Sequence, residues 1–188
     1  MVDHVNFIQV DRYWFLTWTT YGTWLPGDDR GFVGFVSDQT GQLAPHNQFG
    51  TAPAAPSPNL RHSAEQRLKS DPILLTLQKA EALFDQFQET ARARGWLLIA
   101  VGVMHTHVHL VIGVVGDPDP DKVLRDFKAY GSGRLNKLYG KPTSDTWWTR
   151  SGSARKLVDE SAIEAVVQYI RKQPNPLLIW TRSEGRLV

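Results

Sequence analysis

Tyr13–Tyr21, YWFLTWTTY, is an aromatic and β-branched run with the composition of a strand, and it predicts the first element of the chain. Residues 22–60 then hold much of the glycine and proline punctuation, including LPGDDRG and TAPAAPSPN. That stretch reads as an irregular insertion or flap inside a single domain spanning 1–188. Ser63 with Gln66 resembles a capping box, and Asp71 followed by Pro72 is a stronger helix start. From Ile73 onward, Leu77, Ala80, Leu83, Phe84, Phe87 and Ala91 recur at helical spacing, with Gly95 placed to end the helix.

Trp96–Val103 and His107–Val115 predict two strands around a tight bend near Met104, after which GDPDP at 116–120 breaks the pattern. A second helix starts at or near Asp121 with Val123, Leu124, Phe127, Leu135 and Leu138 inward. Its Gly131-Ser-Gly133 predicts a kink or break. Thr146–Val158 returns to extended character. Ser161 with Glu164 predicts a cap for a last helix, which runs to Gln173 and stops before Pro174. This order predicts an α+β fold: a ferredoxin-like split βαβ sandwich, its antiparallel sheet carrying helices on one face, with a C-terminal helix added.

Within the central apolar run VGVMHTHVHLVIGVV, His105, His107 and His109 alternate strictly. In an extended chain that spacing puts three imidazoles on one face, about 7 Å apart along the backbone, with Met104, Thr106, Val108 and Leu110 on the other. Buried imidazoles need partners for both nitrogens, and a shared metal ion is one way to supply them. Two His plus an amide or carboxylate suit a hard divalent ion, Mg²⁺ or Mn²⁺, whereas three His suit Zn²⁺. On the last helix Ile163, Val166, Val167 and Ile170 form an apolar stripe. Tyr169 and Gln173 share its margin four residues apart.

Charge adds a second theme. Residues 1–121 carry 8 Lys and Arg against 13 Asp and Glu, whereas residues 122–188 carry 13 against 6, so a net charge of +2 hides a basic C-terminal third. With Trp147 and Trp148 inside it, that portion is a candidate phosphate-backbone footprint with stacking platforms. The chain has no cysteine, which excludes disulfides and thiolate metal sites. No stretch reaches the length of a membrane span and the N-terminus lacks a leader pattern, so the expectation is a soluble, cytoplasmic protein without a membrane partner.

These residues converge on a family. Met104-His-Thr-His-Val-His-Leu-Val111 resembles the strand of the HUH endonucleases, in which two histidines flank one hydrophobic residue, here His107, Val108 and His109. Val167-Gln-Tyr-Ile-Arg-Lys-Gln173 is similar to the tyrosine helix of the single-tyrosine transposases of the IS200/IS605 and REP-associated type. Asp145-Thr-Trp-Trp-Thr-Arg150 resembles the Trp-containing strand before that helix. The resemblance implies a metal-dependent transposase acting on single-stranded, hairpin-bearing DNA through a covalent 5′-phosphotyrosine. Tyr169 would be the nucleophile and His107, His109 and Gln173 the ligands of Mg²⁺ or Mn²⁺. His105 departs from the family pattern and is an extra ligand, a support for a ligand or a bystander. Tyr130 is a competing nucleophile. Candidate DNA contacts are Arg125, Lys128, Arg134, Trp147, Trp148, Arg150, Arg155, Lys156, Arg171 and Lys172. Homodimerisation stays open. The alternatives are a ferredoxin-like nucleic-acid module without chemistry and a three-histidine metallohydrolase.

Overall fold

In the computed structural model, which describes residues 10–29, 34–37, 43–46, 57–150 and 152–188, the aromatic run forms β1 (Arg12–Thr19). A small hairpin, β2 (Gly34–Ser37) with β3 (Leu43–His46), stands apart from the main sheet. The rest of the expected 22–60 insertion falls largely outside the described residues. Next come α1 (Pro58–Glu65), α2 (Leu77–Arg94), β4 (Leu97–Val103) and β5 (His107–Val114). The chain continues through α3 (Pro120–Tyr139), β6 (Ser153–Leu157), α4 (Glu160–Arg171), β7 (Leu178–Thr181) and β8 (Gly185–Arg186).

The main sheet runs β6-β1-β5-β4-β7-β8, and every neighbouring pair is antiparallel. Its first four strands have the order of the ferredoxin-like fold, built from the units β1-α2-β4 and β5-α3-β6. The β7–β8 hairpin, which the hydrophobic pattern did not announce, extends the sheet beyond β4. One face carries Trp14, Leu16 and Trp18 of β1 with Val108, Leu110 and Ile112 of β5, and packs on Leu83 and Phe87 of α2 and Phe127 of α3. The other face carries Ala100, Val111 and Ile179 beneath Val166 and Ile170 of α4. Side chains alternate across a strand, so residues adjacent in β5 serve opposite layers.

Several local expectations are corrected. The first helix starts at Pro58 after Ser57, and Gln66 ends it rather than answering a Ser63 cap. Asp71-Pro72 opens no helix: the Ile73 and Leu75 amides donate to the Tyr21 and His105 carbonyls at 2.9 and 2.8 Å, which holds 71–76 extended until Leu77. Gly95 ends α2 in the left-handed conformation as read from sequence. The cap of α4 is Asp159, whose carboxylate accepts from the Ala162 amide at 2.7 Å, and the helix ends at Arg171, leaving Gln173 just beyond it. Thr146–Val158 is strand only over Ser153–Leu157, with one isolated bridge between Thr20 and Trp148. Leu138 is exposed.

The α3 helix passes through Gly131-Ser-Gly133 unbroken. Gly131 is buried where α3 crosses α2, and a Cβ there would lie 3.0 Å from Leu83 Cδ2 and 3.4 Å from Phe87 Cε1. Close helix packing offsets the helix-propensity cost of this glycine, whereas Gly133 faces open space. Gly133→Ala is therefore expected to raise unfolding stability by about 0.5–1 kcal/mol. Gly131→Ala should lower it by about 1 kcal/mol or more, because the added methyl would press on Leu83 and Phe87, both fully buried. Urea titration of both variants checks the pair; equal gains would contradict the packing role.

Candidate active site

The antiparallel register sets the site. β5 lies between β1 and β4, and His109 pairs with Thr17 on one side and Gly102 on the other. His107 follows at the strand's start, two residues away on the same face, opposite Thr19. The two imidazole centroids are 4.8 Å apart. His109 is buried, and its Nδ1 hydrogen bonds the Thr17 hydroxyl at 2.8 Å. Its Nε2 is buried with no hydrogen-bond partner. Burial, then the neighbouring His107, lowers its pKa to about 3, so the ring is neutral at physiological pH. The His107 Nδ1 hydrogen bonds the Thr106 hydroxyl at 3.0 Å.

The α4 helix lies across this face. Gly102 makes the approach feasible: a Cβ there would come within 2.8 Å of Ile170 Cγ2. With Ile170 buried against the sheet, Tyr169 stands at the helix edge, half exposed, its ring edge-on to His109 with centroids 5.3 Å apart. Phe15 joins the group, 5.2 Å from His109 and 6.1 Å from Tyr169. Gln173 sits one turn on, its Nε2 donating to the Tyr169 carbonyl at 3.4 Å. Among the described residues it hydrogen bonds neither imidazole.

Tyr169, His107 and His109 are thus brought together. His105 is not on the strand: residues 104–106 make the bend, and its Nδ1–H donates to the Leu75 carbonyl at 3.1 Å. The expected row of three imidazoles is therefore a pair. Among the described residues no three His, Cys, Asp or Glu side chains come together that could hold a metal ion. Tyr130 lies on α3, across the sheet from the imidazoles, with Arg94 at 3.4 Å from its hydroxyl.

The candidate DNA contacts divide by environment. Trp147 and Trp148 are not exposed platforms: both are buried, their indole N–H groups donating to Asn136 Oδ1 at 2.8 Å and the Lys128 carbonyl at 3.0 Å. Lys128 is half-buried and donates to the Thr149 and Arg150 carbonyls at 2.7 and 3.3 Å, and burial pushes its pKa down to about 8. Arg134 is half-buried. Arg171 pairs with Glu184 at 3.0 Å. Arg125, Arg150, Arg155, Lys156 and Lys172 are exposed. Phe15, which no sequence motif marks, also stands against the His109 and Tyr169 rings. Its alternation with Thr17 along β1 was the available signal, once β1 is paired beside the histidine strand.

A family model for IS200-like transposases matches residues 68–173, from the approach to α2 through Gln173 and over half of the chain. The chain belongs to that family, and it is a DNA transposase. Two solved structures are similar. One is a REP-associated tyrosine transposase bound to a REP hairpin: 13% identity over 90% of this chain and 70% of that one, TM-score 0.49. The other is a Deinococcus radiodurans R1 protein provisionally assigned as a transposase: 17% identity over 93% of this chain and 99% of that one, TM-score 0.45. No curated protein matches the chain. Among the described residues no helix is long and apolar enough to cross a membrane.

The Thr17 bond has a measurable consequence. Thr17→Val keeps the shape but leaves a buried imidazole nitrogen unpaired, so stability should fall by about 1–3 kcal/mol, with Thr17→Ser recovering most of it. Urea unfolding of the two variants checks this; a neutral Thr17→Val would show that the hydrogen bond carries no weight.

Proposed function

We propose that the chain breaks and rejoins single-stranded, hairpin-bearing DNA with Tyr169 as the nucleophile, and that His107, His109 and Gln173 bind a divalent ion, Mg²⁺ or Mn²⁺. The observation that carries this reading is the contact between the Tyr169 ring and the His109 ring, 5.3 Å apart within one chain. Phosphodiesters repel nucleophiles because their own oxygens are anionic, so the reaction needs an activated oxygen held beside positive charge.

The donor set fits a hard divalent ion. His109 is held neutral by burial, and its Nε2 is an orphaned buried nitrogen. Donation of Nδ1–H to Thr17 would leave the Nε2 lone pair available. His107 and the Gln173 carbonyl oxygen supply the other protein donors, nitrogen and oxygen types that such ions accept. When bound, the ion supplies positive charge against the oxygens of the scissile phosphate.

In the proposed reaction the Tyr169 oxygen attacks phosphorus and the bond from phosphorus to the 3′ oxygen breaks. That oxygen leaves with the electron pair and takes up a proton to become a 3′ hydroxyl; the phenolic proton is lost to water. The new ester between Tyr169 and the 5′ phosphate retains the energy of the broken bond. A second 3′ hydroxyl can reverse the step and join a different strand. Half exposure of Tyr169 leaves the phenol open to a strand from solvent. Phenol and imidazoles meet within one chain, so this reading does not need a homodimer to bring Tyr169 to the histidines.

Incubation with labelled hairpin-bearing single-stranded DNA and Mn²⁺ is expected to give an adduct that survives denaturing electrophoresis. Tyr169→Phe and EDTA should each abolish it, and His109→Ala should reduce it at least 100-fold. An undiminished adduct in Tyr169→Phe would overturn the nucleophile. Salt-sensitive binding with no adduct in the wild type would favour a binding module without chemistry.

A further inference from the structure

We propose that the open groove between β6 and α4 is a subsite for one unpaired nucleotide next to the cleavage point. The position relative to cleavage rests on reading Tyr169 as the nucleophile; the groove itself is argued from its own lining. It encloses about 600 Å³ and Tyr169 forms part of its wall. That volume is in the range that takes one drug-sized ligand, which suits a single nucleotide.

The lining is apolar below and cationic at the rim. Phe15, Leu157 and Val166 form the apolar part, and the short side chains of Ala162 and Ala165 keep the helix side open. Arg155 lies over the Phe15 ring at 5.5 Å from its centroid, and Lys156 follows it on the same strand. Both are exposed, and among the described residues neither meets a carboxylate. By contrast Arg94, Arg171 and Arg186 are each paired, with Asp126, Glu184 and Glu81. Among the described residues no acidic side chain lines the groove.

Because Arg155 already covers the Phe15 ring, a base would lie on that guanidinium plane and the aliphatic floor with its phosphate on Lys156, a combination that holds unpaired nucleic acid. An acidic peptide would satisfy the cations and leave the floor without a planar partner. Among the described residues the lining contains no Asn, Gln, Asp or Glu to read adenine or cytosine edges, while Arg155, Lys156 and Ser153 are side chains that can meet a guanine or other base edge. The subsite therefore senses that a base is present and unpaired, and separates adenine from thymine weakly.

Fluorescence anisotropy with the full-length protein in EDTA tests this without strand cleavage, using labelled dT10, dA10, a ten-residue abasic strand and a ten-base-pair duplex. The expected result is binding of dT10 and dA10 within about threefold of each other, with the abasic strand and the duplex at least tenfold weaker. Ala165→Trp, a large ring at an exposed helix position, and Arg155→Ala should each weaken dT10 at least tenfold. Arg92→Ala, on α2 across the sheet, should change it less than twofold. Thermal melting by circular dichroism confirms that the variants fold, with Ala162→Phe as a second plug if Ala165→Trp does not. Wild-type affinity in the plugged variant, equal loss in Arg92→Ala, or equal binding of the abasic strand would each overturn the proposal. Failure of the phosphotyrosine assay with these affinities intact would remove the nucleophile and leave the groove.

Discussion

The site depends on the register of β5 between its two neighbours. His109 stands opposite Thr17 of β1 and Gly102 of β4, and the side-chain period of a strand is two. A slip of one residue would turn both imidazoles into the layer filled by Trp18, Leu83, Phe87 and Phe127. The register is fixed because that layer is built from the alternate residues Val108, Leu110 and Ile112, all fully buried. Gly102 then sets how closely α4 approaches, since a methyl group there would meet Ile170 at 2.8 Å. Tyr169, one residue before Ile170 and about 100° around the helix, reaches the imidazoles only because that contact is close.

Burial and exposure divide the labour inside this small space. His109 is buried, neutral and held by the Thr17 hydroxyl. The tyrosine beside it is half exposed, open to solvent. Among the described residues the buried Nε2 of His109 has no hydrogen-bond partner, which is what the proposed site would use. The opposite face of the same sheet, walled by α2 and α3, carries the hydrophobic load that stabilises the arrangement.

The fold was legible wherever a strong period met a clear stop. The Leu83-Phe87-Ala91 stripe with Gly95, and the two strands around Met104, fall where the pattern puts them. Errors arose where tertiary hydrogen bonds decided the outcome. Asp71-Pro72 has the chemistry of a helix start, yet the Tyr21 and His105 carbonyls claim the amides that follow. Alternation suggested three imidazoles in a row, and the chain reversal at 104–106 removed His105 from the strand. Trp147 and Trp148 lie in a basic stretch that reads as surface, but their indoles find partners on α3 and are buried there. The pairing of Tyr169 with the histidines was suggested by family resemblance and not by spacing, since no local pattern reports which face of a sheet a distant helix covers.

The juxtaposition of phenol and imidazole is read most directly from ring-proton nuclear Overhauser contacts in dilute protein, with selective labelling of Tyr, Phe and His. Contacts between Tyr169 and His109, accompanied by those between Phe15 and His109 and unchanged when labelled and unlabelled chains are mixed, are the expected result. A spectrum that keeps the Phe15–His109 contact and lacks the one to Tyr169 would contradict the site as described.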